Sequence, residues 1–208
     1  MLKSLLSLSF GTFALGIAEF VIMGILGTLA TDFNISVSDA GHLISAYALG
    51  VTCGAPALLF LRKMQLKNLL ILLAATILVG NAFTALSPGF YTMLAARFIS
   101  GLPHGAYFGV GAIVAQRLAP AGKQAQAVSI MVSGMTVATI IGVPGATFLT
   151  GILSWRLTFA IVAVSAATAL ICIWLCVPHT GKIEDKGFKG QFHFLKNAAP
   201  WLIFGGVI

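Results

Sequence analysis

The sequence predicts an all-α membrane protein, a six-helix transmembrane bundle built as a 3+3 inverted repeat and followed by the start of a seventh helix. Three observations carry that prediction. Of the 208 residues, 59% are hydrophobic and 8% charged, with a mean hydropathy of +1.02, whereas a soluble domain carries about 25% charged residues. Apolar runs of about 20 residues, the length that crosses a bilayer as a helix, recur along the chain. A set of small and polar residues in the second run also returns at constant spacing in the fifth.

The first run, 5–28, follows Lys3 and begins like a secretory leader. It outlasts the roughly 7–15 residues of a leader's apolar core and contains Glu19, so it reads as the first span. Further spans are expected at 40–61, 68–86, 90–115, 125–152 and 157–177. A seventh run opens at 198 and reaches 208, too short to cross a bilayer, so the sequence reads as the front portion of a longer protein. The expected domains are a bundle over 1–177, a cytoplasmic linker over 178–197 and the truncated start of a seventh span over 198–208.

Orientation follows from the basic residues. Lys3, Arg62, Lys63, Lys67, Arg117, Lys123, Lys182, Lys186, Lys189 and Lys196 all fall in connections on one side, Arg156 alone on the other, and Arg97 inside a span. The positive-inside rule makes the first side, with the N terminus, cytoplasmic. It also accounts for the net charge of +7, which therefore does not indicate a nucleic-acid partner. The expected setting is the bacterial inner membrane, with lipid as the surrounding partner. In the external connection 29–39, Ser38 is expected to cap the second helix with Asp39 in its first turn, and Asp32 is expected to do no more than sit on the surface. Cys53, Cys172 and Cys176 lie in apolar runs without a companion His, so neither a disulfide nor a metal site is expected; nor is a cofactor.

The repeat sets Ser45, Gly50, Gly54 and Pro56 over Ser133, Ala138, Gly142 and Pro144. An odd number of helices separates the copies, so the second and fifth spans run in opposite directions, and two such triplets form an inverted repeat. Within the fifth span, Gly134, Ala138, Gly142 and Gly145 form a small-residue seam containing Pro144, which suits close helix approach and a point of bending.

Few residues within the spans can carry chemistry. Arg97 and His104 lie close to two helical turns apart on the stripe Arg97, Gly101, His104, Phe108, and Pro103 beside them should loosen the helix. Glu19 is the sole acid within a span and lies at matching depth, so it is expected to pair with Arg97, with protonation releasing the pair. Glu19, Arg97 and His104 are thus the proton-coupling candidates; Tyr47, Asn81 and Tyr107 are the substrate-cavity candidates. Ser100, one turn from His104, raises an intramembrane hydrolase as a rival, but no nucleophile motif surrounds it. No catalytic residue is expected.

RFISGLPHGAYFGVG (97–111) resembles the fourth-helix arginine motif of the major facilitator superfamily, and GMTVATIIGVPGATFL (134–149), followed by Ser154, Trp155 and Arg156, resembles its fifth-helix antiporter motif. AEFVIMGIL (18–26) and QFHFLKNAAPWLIF (191–204) narrow the resemblance to AraJ-type sugar or drug efflux permeases of its drug/proton antiporter branch. The resemblance implies twelve helices in two halves, with protons and a small-molecule substrate, a sugar or amphipathic compound, exchanging at their interface by alternating access. This chain would be the N-terminal half, partnered by a missing C-terminal half. It further implies that Arg97 couples to protons and that Gly142, Pro144 and Gly145 form the antiporter bend. The loop motif retains Gly54, Arg62 and Lys63 but lacks the family's acidic residue, which puts its charge latch in doubt. The alternative is a truncated or half-size six-helix protein with a structural or regulatory role.

Overall fold

The structure, a computed structural model, describes residues 1–61 and 63–182, with side chains except at 57 and 59. Arg62, most of the expected linker and the expected seventh span lie outside the described residues. The helices are α1 (Leu2–Asp32), α2 (Val37–Leu61), α3 (Leu66–Leu86), α4 (Phe90–Gly101), α5 (Pro103–Leu118), α6 (Gln124–Val137), α7 (Val143–Ile152) and α8 (Trp155–Cys176). α4 and α5 form one span, Phe90–Leu118, as do α6 and α7, Gln124–Ile152; these two, α1, α3 and α8 are long and apolar enough to cross a membrane. α2, at 25 residues, reaches about 37 Å at 1.5 Å per residue, more than the roughly 30 Å of hydrocarbon. The six expected spans and the all-α class are therefore present.

Each interruption has a local cause. Pro103 has no N–H to donate to Ile99, and the Ile99 carbonyl accepts instead from Leu102 at 3.3 Å, which separates α4 from α5 without turning the stripe. Just before Pro144 the helix widens into a π-turn, Ala138–Gly142, closed by the Val143 N–H on the Ala138 carbonyl. α1 runs past the expected residue 28 to Asp32 and stops in a Schellman arrangement: Asn34 takes φ 52°, while Ile35 and Asn34 donate to the carbonyls of Ala30 and Thr31. α2 begins at Val37, earlier than expected, because its cap is Ser36 and not Ser38. The Ser36 hydroxyl accepts from the Asp39 N–H at 3.0 Å and donates to the Asp39 carboxylate at 2.6 Å, a side-chain cap two residues before the expected one.

α1 is the central element, touching α2, α3, α5, α6, α7 and α8. α3 lies along α8, α2 along α4, and α6 along α1. The last two contacts are where the inverted repeat becomes visible. Gly54 of α2 sits against the Leu102 carbonyl, so any side chain there would strike backbone; its counterpart Gly142 sits against Ile17 of α1. Lipid tails are as apolar as leucine, so such close backbone approach, more than hydrophobic burial, holds membrane helices together.

Candidate functional site

The side chains of five helices, α1, α2, α4, α5 and α8, converge beside the α4–α5 junction. Arg97 is fully buried; Nη1 donates to the Ala18 carbonyl of α1 at 2.6 Å and Nε to the Leu43 carbonyl of α2 at 3.5 Å. Its guanidinium lies over the Tyr47 ring at 4.4 Å, with the Phe159 ring of α8 at 5.9 Å. Tyr47, itself 2% exposed, brings its hydroxyl to His104 Nδ1 at 2.9 Å. On the other edge of that imidazole, Nε2 faces the Glu19 carboxylate at 3.7 Å, within ion-pair range but beyond a direct hydrogen bond. Phe108 packs on the His104 ring with centroids 5.3 Å apart.

The expected partners thus meet, but in a different pairing. Arg97 reaches the level of Glu19 and takes the backbone carbonyl of the preceding residue, while the carboxylate turns to His104. Side chains lean toward the N terminus of their own helix, and α1 and α4 run in opposite directions. The two side chains therefore lean apart, Glu19 toward the α5 level and Arg97 toward the start of α4. Within this cluster two buried atoms are left without a hydrogen-bond partner, Arg97 Nη2 and Glu19 Oε2. The Glu19 side chain remains 28% exposed and that of His104 12%, so both reach the edge of the otherwise buried cluster.

The other candidates are placed elsewhere. Asn81 is fully buried, with Nδ2 donating to the Ile77 carbonyl at 2.8 Å. Tyr107 is fully buried with its hydroxyl on the Leu8 carbonyl at 3.3 Å, filling the space that Gly11 leaves open. Both serve helix packing here, not a cavity wall, and Tyr47 belongs to the charged cluster. Ser100 donates to the Arg97 carbonyl at 2.9 Å, an intrahelical bond that does not engage His104. In the antiporter segment, Gly134 abuts the Ser9 carbonyl of α1, and Gly145 has open space beside it in an apolar cavity of about 210 Å³ next to Pro144, lined by Phe13, Ile17, Leu149 and Ile161. Gly54 meets the α4–α5 junction, and Lys63 lies in the connection that follows α2.

Two residues that matter were not singled out. Phe159 stands beside the guanidinium, and nothing in its own apolar helix distinguishes it. Asp32, expected to sit idle on the surface, accepts from Trp155 Nε1 at 2.9 Å and Arg156 Nη1 at 3.3 Å, while Arg156 Nη2 donates to the Ser87 carbonyl at 3.3 Å. The signal was available, because Arg156 is the lone basic residue expected on that face.

The family model described as Major Facilitator Superfamily matches residues 8–208. The chain belongs to this superfamily. It is 46% identical over 209 residues to "Putative transporter AraJ" of Escherichia coli (strain K12), a match covering 100% of this chain and 53% of that protein. It is 30% identical over 172 residues to "Probable sugar efflux transporter" of Helicobacter pylori (strain P12), covering 82% and 44%. Among solved structures, the D-xylose-proton symporter superposes with a TM-score of 0.70 at 19% identity, covering 98% of this chain and 53% of that one, which shows the shared fold. The chain spans about half the length of the curated relatives it matches. It is a multi-pass membrane protein of a transporter family.

Proposed function

We propose that this chain is the N-terminal half of a proton-coupled exporter of sugars or small amphipathic compounds, working by alternating access in the bacterial inner membrane with its N terminus cytoplasmic. The observation that carries this reading is Glu19, its side chain partly exposed and its carboxylate facing His104 at 3.7 Å, within a cluster whose permanent charge is the buried Arg97. A charge inside a membrane is retained at a cost of about 3 kcal/mol or more, and a static packing role would favour burying Glu19 as completely as Arg97. Protonation removes the negative charge and leaves Arg97 without a nearby counter-charge and the His104 Nε2 without the carboxylate it faces, which biases the packing of α1 against α4 and α5. A relative named as a probable sugar efflux transporter supports sugars as the substrate class. The chain spans about half the length of its curated relatives, so the activity proposed is that of the full-length protein.

The test is export measured in inverted vesicles carrying the full-length protein, with and without an imposed proton gradient. Glu19→Gln is expected to abolish gradient-driven export while leaving exchange without a gradient within about three-fold of wild type. An unchanged gradient-driven rate in that variant would end the proposal.

A further inference from the structure

Tyr47 does two jobs that a packing residue would not combine. Its ring face carries the Arg97 guanidinium at 4.4 Å, and its hydroxyl lies 2.9 Å from His104 Nδ1. An imidazole has two neutral tautomers, and which nitrogen holds the proton is set by the partner of the other. Of these two, only one suits both neighbours of the ring. An ionised carboxylate has acceptors alone, so the Nε2 that faces Glu19 at 3.7 Å is favoured as the N–H. The lone pair then resides on Nδ1, and the Tyr47 hydroxyl donates to it. In the reverse tautomer the Nε2 lone pair would face carboxylate lone pairs, and the Tyr47 proton would lose the acceptor that lies 2.9 Å away.

We infer that Tyr47 is the positioning residue of the cluster: its hydroxyl holds His104 as the Nε2–H tautomer, aiming that N–H at Glu19, while its ring holds Arg97 at the same level. This deepens the proton-coupling reading and rests on it for its functional meaning, although the tautomer is a property of the chain itself. The titratable groups that face His104 are Glu19 from α1 and Tyr47 from α2; Arg97 from α4 lies on the Tyr47 ring, with the Phe159 ring of α8 beside the guanidinium. Tyr47 is 2% exposed, so water does not readily replace its hydroxyl.

Nitrogen-15 NMR of histidine-labelled chain in lipid nanodiscs at pH 8 reads this directly, with the His104 signals assigned by their loss in His104→Asn. Wild type is expected to show a single neutral tautomer with the proton on Nε2. Tyr47→Phe keeps the ring over Arg97 and removes the hydroxyl; its His104 signals are expected to become a mixture of both tautomers. In the full-length transporter the same variant is expected to keep its maximal rate within about two-fold and move the midpoint of the pH profile by at least about half a unit, roughly a three-fold change in proton affinity. Tyr47→Leu, which removes ring and hydroxyl together, loses maximal rate as well. An Nδ1–H tautomer in wild type, or a Tyr47→Phe spectrum identical to wild type, overturns the inference whatever the transport data show. A Glu19→Gln transporter with unaltered gradient-driven export overturns the proton-coupling reading and leaves the NMR result standing.

Discussion

At Arg97 the guanidinium donates to carbonyls on two helices, Ala18 and Leu43, while its face rests on Tyr47. A lysine ammonium offers a point charge without a flat face, and its donors are not spread along a planar fork. Arg97→Lys keeps the charge and is expected to lose one interhelical bond and the stacking. A buried hydrogen bond from a charged group is worth about 1.5–3 kcal/mol, so thermal unfolding in detergent should show a drop of several degrees in Tm; a Tm equal to wild type would contradict this account of the site. Arg97 and Glu19 were legible in the sequence because a charge within an apolar run is conspicuous. Their actual partners were not, because the choice between a carboxylate and a backbone carbonyl depends on which way each side chain leans, and that is fixed only once antiparallel helices are set side by side.

The helices themselves were legible as apolar runs, and the interruptions at Pro103 and Pro144 followed from the missing N–H. Ends were less so: α1 overran its apolar stretch by a turn, since Thr31 and Asp32 still satisfy the helix and the chain turns only where Asn34 accepts a positive φ. The glycines were visible as a repeated pattern, but a pattern does not say what each one faces. Gly54 faces a backbone carbonyl that cannot move aside, Gly142 faces the end of the Ile17 side chain, and Gly145 faces open space. A valine series should therefore rank Gly54→Val as the most destabilising, near the upper end of the 1–3 kcal/mol typical of overpacking. Gly142→Val should be milder because Ile17 can change rotamer, and Gly145→Val should stay close to wild type. Thermal unfolding of the three variants checks the order, and equal losses at Gly54 and Gly145 would show that close approach at α2–α4 is not what holds these helices.

Across the whole molecule, the two ends of the bundle are fastened by different means. At the end of the bundle where α1 stops, Asp32, Trp155, Arg156 and the Ser87 carbonyl tie together the ends of α1, α3 and α8. The Asp32–Arg156 pair is nearly half exposed on both sides, so about 1 kcal/mol or less is expected from it. At the opposite end the chain leaving α8 does the fastening. The Gly181 carbonyl accepts from the Leu66 N–H at 2.9 Å, filling one of the vacant donors at the start of α3, and Gln65 and Lys182 form an antiparallel bridge. Arg117, in the last turn of α5, donates to the Thr180 carbonyl at 2.6 Å, and Gly181 makes the turn at φ 86°. Residues 178–182, read from sequence as the start of the linker, thus belong structurally with the bundle; the signal was a lone glycine among polar residues, which does not announce a strap. Bridge partners sit about 4.5–5.5 Å apart at Cα, inside the 4.4–6.8 Å that a disulfide spans. With Cys53, Cys172 and Cys176 replaced by serine, Gln65→Cys with Lys182→Cys is expected to cross-link readily under mild oxidation in membranes. Adding Gly181→Val, which a β-branched side chain makes costly at positive φ, should cut the yield several-fold. If the strap travels with α3 and α5 through the transport cycle, the cross-linked full-length protein should retain its export rate within about two-fold. Loss of export restored by a reducing agent would instead show that the strap must open.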